Sequence, residues 1–550
     1  MPPPGAFLLV VVLVWPGAVA RGAFSSGVAS GDVTDTAAIL WTRADQAGTV
    51  RVQVAADQDF SQIVQEAQAD ATAATDYTVQ FDVQGLAPRT LYYYRFLLLQ
   101  DPAATSIAGT FRTSPAPDQA VGFRFILSGD SDYSRGPFHV LADATEQEPD
   151  LFIYFGDTIY GDIPAGELGI ARTLDEYRAK YVQNRYDQPL RDLLARTPVM
   201  VGWDDHEVVN DYWGAEPGAE AGPDLTPERV AAGYQAFFEY MPIRDAGDPQ
   251  DPFRTYRAIR YGSLAEFFLL DGRQYREPPA KRACGGDPDP FDLFFGGQHP
   301  SEECLAILRE PRAYLGAAQM EWLKATLLNS TARYKFVVTD QPMSFLGLLP
   351  YDRWDGYDAE RKELLEFIDA NLVESVWLLS TDVHMSAFTP DVTTYFREQR
   401  PDYRLDNGVV VAEIVACPIA AETLRQAALK TALEALGSLG ELPVTQNFLN
   451  LTLNSMMLGI ARANAWAFWQ ADRYAYVLVD VSPENGVTVS FRGYDPAAHG
   501  EQRPLIHTLY DSAAPISLPC WVVPGTVFAL IVPIAAYGLR GRWASQARTE

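Results

Sequence analysis

Leu151-Phe152-Ile153-Tyr154-Phe155-Gly156-Asp157-Thr158-Ile159-Tyr160-Gly161-Asp162 joins an unbroken apolar run to a Gly-Asp turn carrying a phenol and a second carboxylate. A short apolar run closed by glycine reads as a strand buried on both faces. Three more runs share the pattern. Phe123–Leu127 leads into Ser128-Gly129-Asp130-Ser131-Asp132, Phe336–Val338 into Thr339-Asp340, and Val376–Leu379 into Ser380-Thr381-Asp382. Helical stretches lie between them, so an α/β layered domain is expected, with ligands at the strand ends.

Upstream the rhythm differs. Ala37–Trp41, Val50–Val54, Tyr77–Val83 and Leu91–Phe96 are short β-type runs separated by turn signals, which predicts an N-terminal all-β sandwich of the Ig/fibronectin kind. Thr110-Phe111-Arg112-Thr113 reads as its last strand, and Ser114-Pro115-Ala116-Pro117-Asp118 as a linker. The expected organisation is therefore a sandwich over 22–115 and a catalytic α/β domain over 120–510. Gly214 to Pro227 reads as a surface loop, and Ala427 to Leu442 as an amphipathic helix with its Gly-containing end.

The termini carry a different message. Residues 1–20 hold an apolar run from Ala6 to Trp15 and then Ala18-Val19-Ala20, the form of a signal peptide, although the run lacks a preceding Lys or Arg. Residues 516–539 carry no charge and precede Arg540, Arg542 and Arg548 in the basic tail 540–550. That length suits a C-terminal transmembrane helix, with the catalytic domain outside the membrane. Pro519, Pro524, Gly525 and Pro533 interrupt the run, which leaves a buried core segment or a processed sorting tail as the other readings.

A net charge of -28 argues against nucleic-acid binding through a basic surface. Four cysteines are too few for a disulfide scaffold; Cys284 and Cys304 can close one loop, and neither Cys417 nor Cys520 has the setting of a nucleophile.

Carboxylates at Asp130 and Asp132 stand two apart in a turn, as hard cations require. Asp157 ends a strand where it can bridge two ions, and the Tyr160 phenol can return over the same place. Gly202-Trp203-Asp204-Asp205-His206-Glu207-Val208-Val209-Asn210-Asp211 crowds acids that repel one another in a core unless paired or metal-bound. His206 there can donate a proton to a leaving oxygen or hold a phosphoryl oxygen. Asp382 and His384 offer two ligands on one side of the backbone. Each motif alone also fits a turn Asp or a packed ring; of only six histidines, two fall inside the motifs.

The order Gly-Asp-x-Asp, Gly-Asp-x-x-Tyr, Trp-Asp-Asp-His-Glu, Asp-Val-His-x-Ser resembles the alkaline phosphatase D (PhoD-like) family of the metallophosphoesterase superfamily, over roughly Phe24 to Gly493. Gly27–Asp32 with Leu40–Arg43, Leu270–Arg276 and Leu315–Leu323 are similar to further family segments. The resemblance implies two packed β-sheets flanked by helices and a binuclear site. Asp157 would bridge the ions, Tyr160 would bind a ferric-type ion, Asp205 the second metal, and Asp382 with His384 would complete the set. It implies Fe3+ with Ca2+, or Mn2+, Zn2+ or Mg2+ instead. Well-known members place a Cys ligand where this chain reads Gly129-Asp130, so Asp130, with Asp132, is expected to substitute.

The implied reaction is phosphate-ester hydrolysis in which a metal-bound hydroxide attacks phosphorus in line and His206 assists the leaving alcohol. Arg273 is the expected cation facing the phosphate, with a structural ion pair as the other reading. Expected partners are a phosphate-ester substrate and, through the C-terminal segment, a membrane, with the protein a monomer. The rivals are a catalytically silent surface binding module on the same platform and a hydrolase of another ester.

Overall fold

The computed structural model describes residues 23–214, 224–279, 306, 310–346, 352–436, 442–499 and 506–511. The four apolar runs that lead into the Asp-bearing turns form strands, and Leu151–Phe155 is buried along its whole length.

Phe123–Ser131, Leu151–Phe155 and Val199–Gly202 pair in parallel at the centre of a ten-stranded sheet. In a seven-stranded sheet, Ala265–Leu269, Tyr334–Val338, Val376–Ser380 and Val411–Val415 do the same. The inner faces meet through Phe125, Ile153, Phe155, Phe267, Phe336 and Leu379. Phe125 stands edge-on to Phe336 at 5.2 Å and to Phe267 at 5.5 Å, the geometry aromatic quadrupoles favour. Both outer faces are covered by helices, which is why these parallel strands carry no polar alternation. On one side lie His139–Glu146, Leu174–Asn184, Gln188–Arg196 and Pro227–Tyr240. On the other lie Ala317–Asn329 and Asp358–Ala370. The result is two packed sheets between two helical layers.

The helices begin where the sequence supplies caps. Thr173 accepts from Glu176 N while the Glu176 side chain returns to the cap. Thr226 precedes Pro227 in the first turn, where a missing N–H costs nothing.

The N-terminal strands divide between sheets. Ile63–Ala71, Gly48–Ala55, Leu91–Leu98, Asp101–Thr105 and Gly109–Arg112 make a five-stranded sheet. Val28–Gly31, Ala37–Arg43 and Thr78–Gln84 instead extend the ten-stranded sheet, with Gly31 aligned in parallel against Val199. Trp41 Nε1 donates to Glu239 O at 2.8 Å, and Arg257 meets Asp32 at 2.7 Å. The β region and the α/β region are therefore continuous through backbone pairing.

The helix expected from Ala427 begins earlier, at Leu424, runs to Leu436, and is followed by a second over Pro443–Ala463. Residues 215–223 of the expected surface loop, and Cys284 and Cys304, lie outside the described residues.

The expected membrane anchorage is corrected. Among the described residues no helix is long and apolar enough to cross a membrane. The segment 516–539 lies outside them, as do residues 1–20. The chain's placement on a membrane, and with it the membrane partner, is withdrawn.

Candidate metal centre

The two packed sheets bring strand C-termini from both layers to one place. Asp130, Asp157, Asp204 and Asp205 arrive from the first sheet, and Arg273, Asp340 and Asp382 from the second. The chain leaves its strands through left-handed backbone at Asp130 (φ 54), Asp157 (φ 50) and Asp382 (φ 65), and again at His384 (φ 50). Asp tolerates this region better than most residues, and such conformations concentrate at functional sites.

Four overlapping groups have ligand atoms within 4.8 Å of one another. They are Asp130, Asp157 and His384; Asp157, Asp205 and His206; Asp204, Asp205 and Asp382; and Asp205, Asp211 and Asp352. Asp157 and Asp205 link the groups, as bridging ligands must. Tyr160 adds its hydroxyl 3.0 Å from His384 Nε2 and sets its ring, tilted by 30°, 4.2 Å from that of His206. His384 Nδ1 donates to Glu422 O at 2.5 Å, which leaves Nε2 as the lone-pair nitrogen, 3.7 Å from Asp130.

Burial, followed by repulsion from neighbouring carboxylates, holds the Asp130 and Asp157 carboxyls well above their usual range. Burial also raises Asp204, against the pull of Arg273. Burial lifts Asp382 to about 6 although Arg353 opposes it, and it lowers His384 to about 4. Among the described residues both carboxylate oxygens of Asp130, and one each of Asp204, Asp205 and Asp382, have no hydrogen-bond partner. Buried carboxylate oxygens left in this state are expensive, and a cation satisfies them. The residues thus fit metal ions, and a donor set of carboxylates, one phenol and imidazole suits hard or borderline ions.

Gly129 cannot host a ligand. A Cβ there would meet Phe155 O at 2.2 Å and Gly156 O at 2.8 Å. The position is closed by the neighbouring strand, and Asp130 is the residue that reaches the cluster.

Asp132 is not drawn in. Its carboxylate accepts from Ser134 N at 2.9 Å and Ser134 Oγ at 2.8 Å, capping a short turn, with Arg135 at 3.6 Å. Arg273 is fully buried. Its guanidinium lies 2.5 Å from Asp204, 3.1 Å from Asp352, 3.4 Å from Asp340, 3.6 Å from Asp205 and 3.9 Å from Asp382. It is enclosed by acids and turned away from solvent, the ion-pair reading of this residue. Gly272 makes room for Asp340, whose carboxylate occupies the space a side chain at 272 would need.

Supporting residues surfaced only in three dimensions. Asp162 Oδ1 accepts from His206 Nδ1 at 2.6 Å while its other oxygen accepts from Asn210 N. Burial lowers the His206 pKa, but Asp162 and Asp205 override it and raise it to about 10. Glu207 accepts from Asp157 N, Thr158 N, Thr158 Oγ1 and Asp204 N, tying two ligand loops together. Asn184 Nδ2 donates to Ser131 O and Thr158 O, clamping the loops that follow Asp130 and Asp157. Asp162 and Glu207 stood inside the quoted motifs, but nothing in their spacing revealed which partner each would face. Cys417 is buried, and burial pushes its thiol up to about 12, so it remains an inert thiol.

A double sheet whose strand ends converge on clustered carboxylates and histidines is a phosphatase architecture. A purple acid phosphatase from yellow lupin (Lupinus luteus) seeds shares the fold at a TM-score of 0.53 and 12% identity, over 87% of this chain and 74% of that one. A solved PhoD structure agrees more closely, with a TM-score of 0.68 and 26% identity over 90% of this chain and 93% of that one. The PhoD-like phosphatase model matches residues 124–485, and the model of the PhoD-like phosphatase N-terminal domain matches residues 15–115. The chain belongs to the PhoD-like phosphatase family. It is 32% identical to alkaline phosphatase D of Bacillus subtilis (strain 168) over 395 residues, which span 66% of this chain and 64% of that relative's length.

Proposed function

We propose that this chain hydrolyses phosphate esters, monoesters or diesters, at a two-metal centre held by Asp130, Asp157, Tyr160, Asp205, Asp382 and His384. The observation that carries the reading is the pair of shared carboxylates, Asp157 and Asp205, linking candidate ligand groups that contain buried oxygens accepting no hydrogen bond. Bound there, two ions such as Fe3+ with Ca2+ would supply the positive charge that neutralises phosphoryl oxygens and activates water.

The chain's own groups do the rest. Asp162 holds His206 through Nδ1, so Nε2 is the nitrogen available to give a proton to the departing alcohol oxygen. The tilted contact between the Tyr160 and His206 rings supports the imidazole. Glu207 and Asn184 hold the ligand loops, and Arg273 keeps Asp204, Asp205 and Asp382 from splaying apart.

Aryl phosphate mono- and diester hydrolysis, with metal analysis of the same sample and of Asp157→Asn, tests the reading. Wild type should turn over and carry metal, and the variant should lose both. Retained activity and metal in Asp157→Asn would overturn the site assignment.

A further inference from the structure

The centre has a closed floor and a more open mouth. Side chains of Asp130, Asp204 and Arg273 are 0% exposed, whereas Arg353 is 15% and His384 21% exposed. His206 and Asp382 are also partly open. Arg273 is on the wrong side of this arrangement to meet a substrate.

Arg353 is on the right side. Its Nε lies 3.4 Å from Asp382 Oδ2, and its charge also acts on His384. The backbone under it is pinned on both flanks. Asp352 is held by Arg273 and by Arg276 at 2.9 Å. Trp354 is buried against Tyr314 at 4.1 Å, and Asp355 pairs with buried Arg361 at 2.5 Å. Residues 354–358 are all buried, and Arg353 is a partly open side chain at the edge of that buried segment. A guanidinium fixed beside a ligand carboxylate at the mouth has the two-pronged shape that recognises phosphoryl oxygens.

We infer that Arg353, rather than Arg273, is the guanidinium that meets the anionic phosphoryl group of the substrate. The inference rests on the phosphate-ester reading above. In this reading Arg353 holds the phosphoryl oxygens while His206 serves the leaving group. A monoester dianion gains more from it than a diester monoanion, because more charge lies within reach.

The test compares full-length, metal-loaded wild type with Arg353→Ala and Arg353→Lys. Metal content, kcat and KM for aryl mono- and diesters, and inorganic-phosphate affinity by calorimetry are measured together. Arg353→Ala should raise KM for the monoester and weaken phosphate binding, each by roughly tenfold to a hundredfold. The diester should suffer less, metal content should hold, and Lys should restore part of the loss. Unchanged phosphate affinity in the metal-loaded variant overturns the inference, whether or not metal retention falls, because the residue then only supports Asp382. If Ala lowers the melting temperature, Arg353→Gln carries the same comparison. Weakened phosphate binding in a wild type and variant that both lack turnover would sink the hydrolase reading and support the anion-binding role.

Discussion

His206 Nδ1 donates to Asp162 Oδ1 at 2.6 Å, and both side chains are only 11% exposed. One end of the imidazole is committed to a carboxylate, and the other is left toward the clustered carboxylates, with Nε2 4.0 Å from Asp157. Asp162→Asn keeps the shape of the contact but removes the charge that favours the imidazolium. It should lower kcat by roughly a hundredfold or more with little change in metal content. Protonated His206 is favoured up to about 10 in the metal-free protein, so the variant's alkaline limb should move to lower pH. A pH–rate profile with an unmoved limb would remove Asp162 from this role.

Metal removal should destabilise the protein most at alkaline pH. Asp130, Asp157 and Asp204 have folded-state pKa values raised by burial, and Asp382 stands at about 6. A raised carboxylate pKa means the metal-free fold is favoured below the ordinary carboxylate range. That advantage is lost as pH climbs through about 6 and beyond. Chelator should therefore lower the melting temperature by on the order of 5 °C or more at pH 8 and by less at pH 5.5. Thermal melts with and without chelator, giving equal losses at both pH values, would contradict this.

Gly129→Cys should not create a thiolate ligand. Its Cβ would meet Phe155 O at 2.2 Å, and backbone cannot yield cheaply in a packed double sheet. The expected outcome is a loss of about 1–3 kcal/mol in urea denaturation and no thiolate-to-iron absorption band. Appearance of such a band with undiminished stability would refute the account of this position.

Arg273→Met should cost about 3–5 kcal/mol, because it strands buried carboxylates that now share one guanidinium. Lysine at the same place should rescue little, since one ammonium cannot reach Asp204, Asp340 and Asp352 together. Denaturant unfolding of both variants measures this.

Asp130→Asn and Asp132→Asn should part company. Asp130 faces the cluster with neither oxygen hydrogen-bonded, whereas Asp132 is engaged by Ser134. Metal analysis should show the larger loss for Asp130→Asn; equal loss would return Asp132 to the ligand set.

Much of the acidic cluster was legible in the chain itself. Asp130, Asp157 and Asp382 each follow an apolar run closed by small residues, and that pattern by itself dictates a buried strand delivering a carboxylate to a loop. The runs from Ala37 to Phe96 likewise announced a β region by local periodicity. Direction and partnership were another matter. Asp130 and Asp132 are equivalent in sequence, yet a strand-end twist sends one to the cluster and the other to a serine. Arg273 was legible as a cation but not as one walled in by Asp204, Asp340 and Asp352, because those acids come from different strands and loops. The pairing of Gly31 with Val199, which runs the β region into the catalytic sheet, also carries no local signal. Local periodicity determines which residues form strands and which acids stand at their ends. Which of those acids meet a metal, an arginine or a histidine is decided by contacts across long sequence separations, and only the packed tertiary structure holds them.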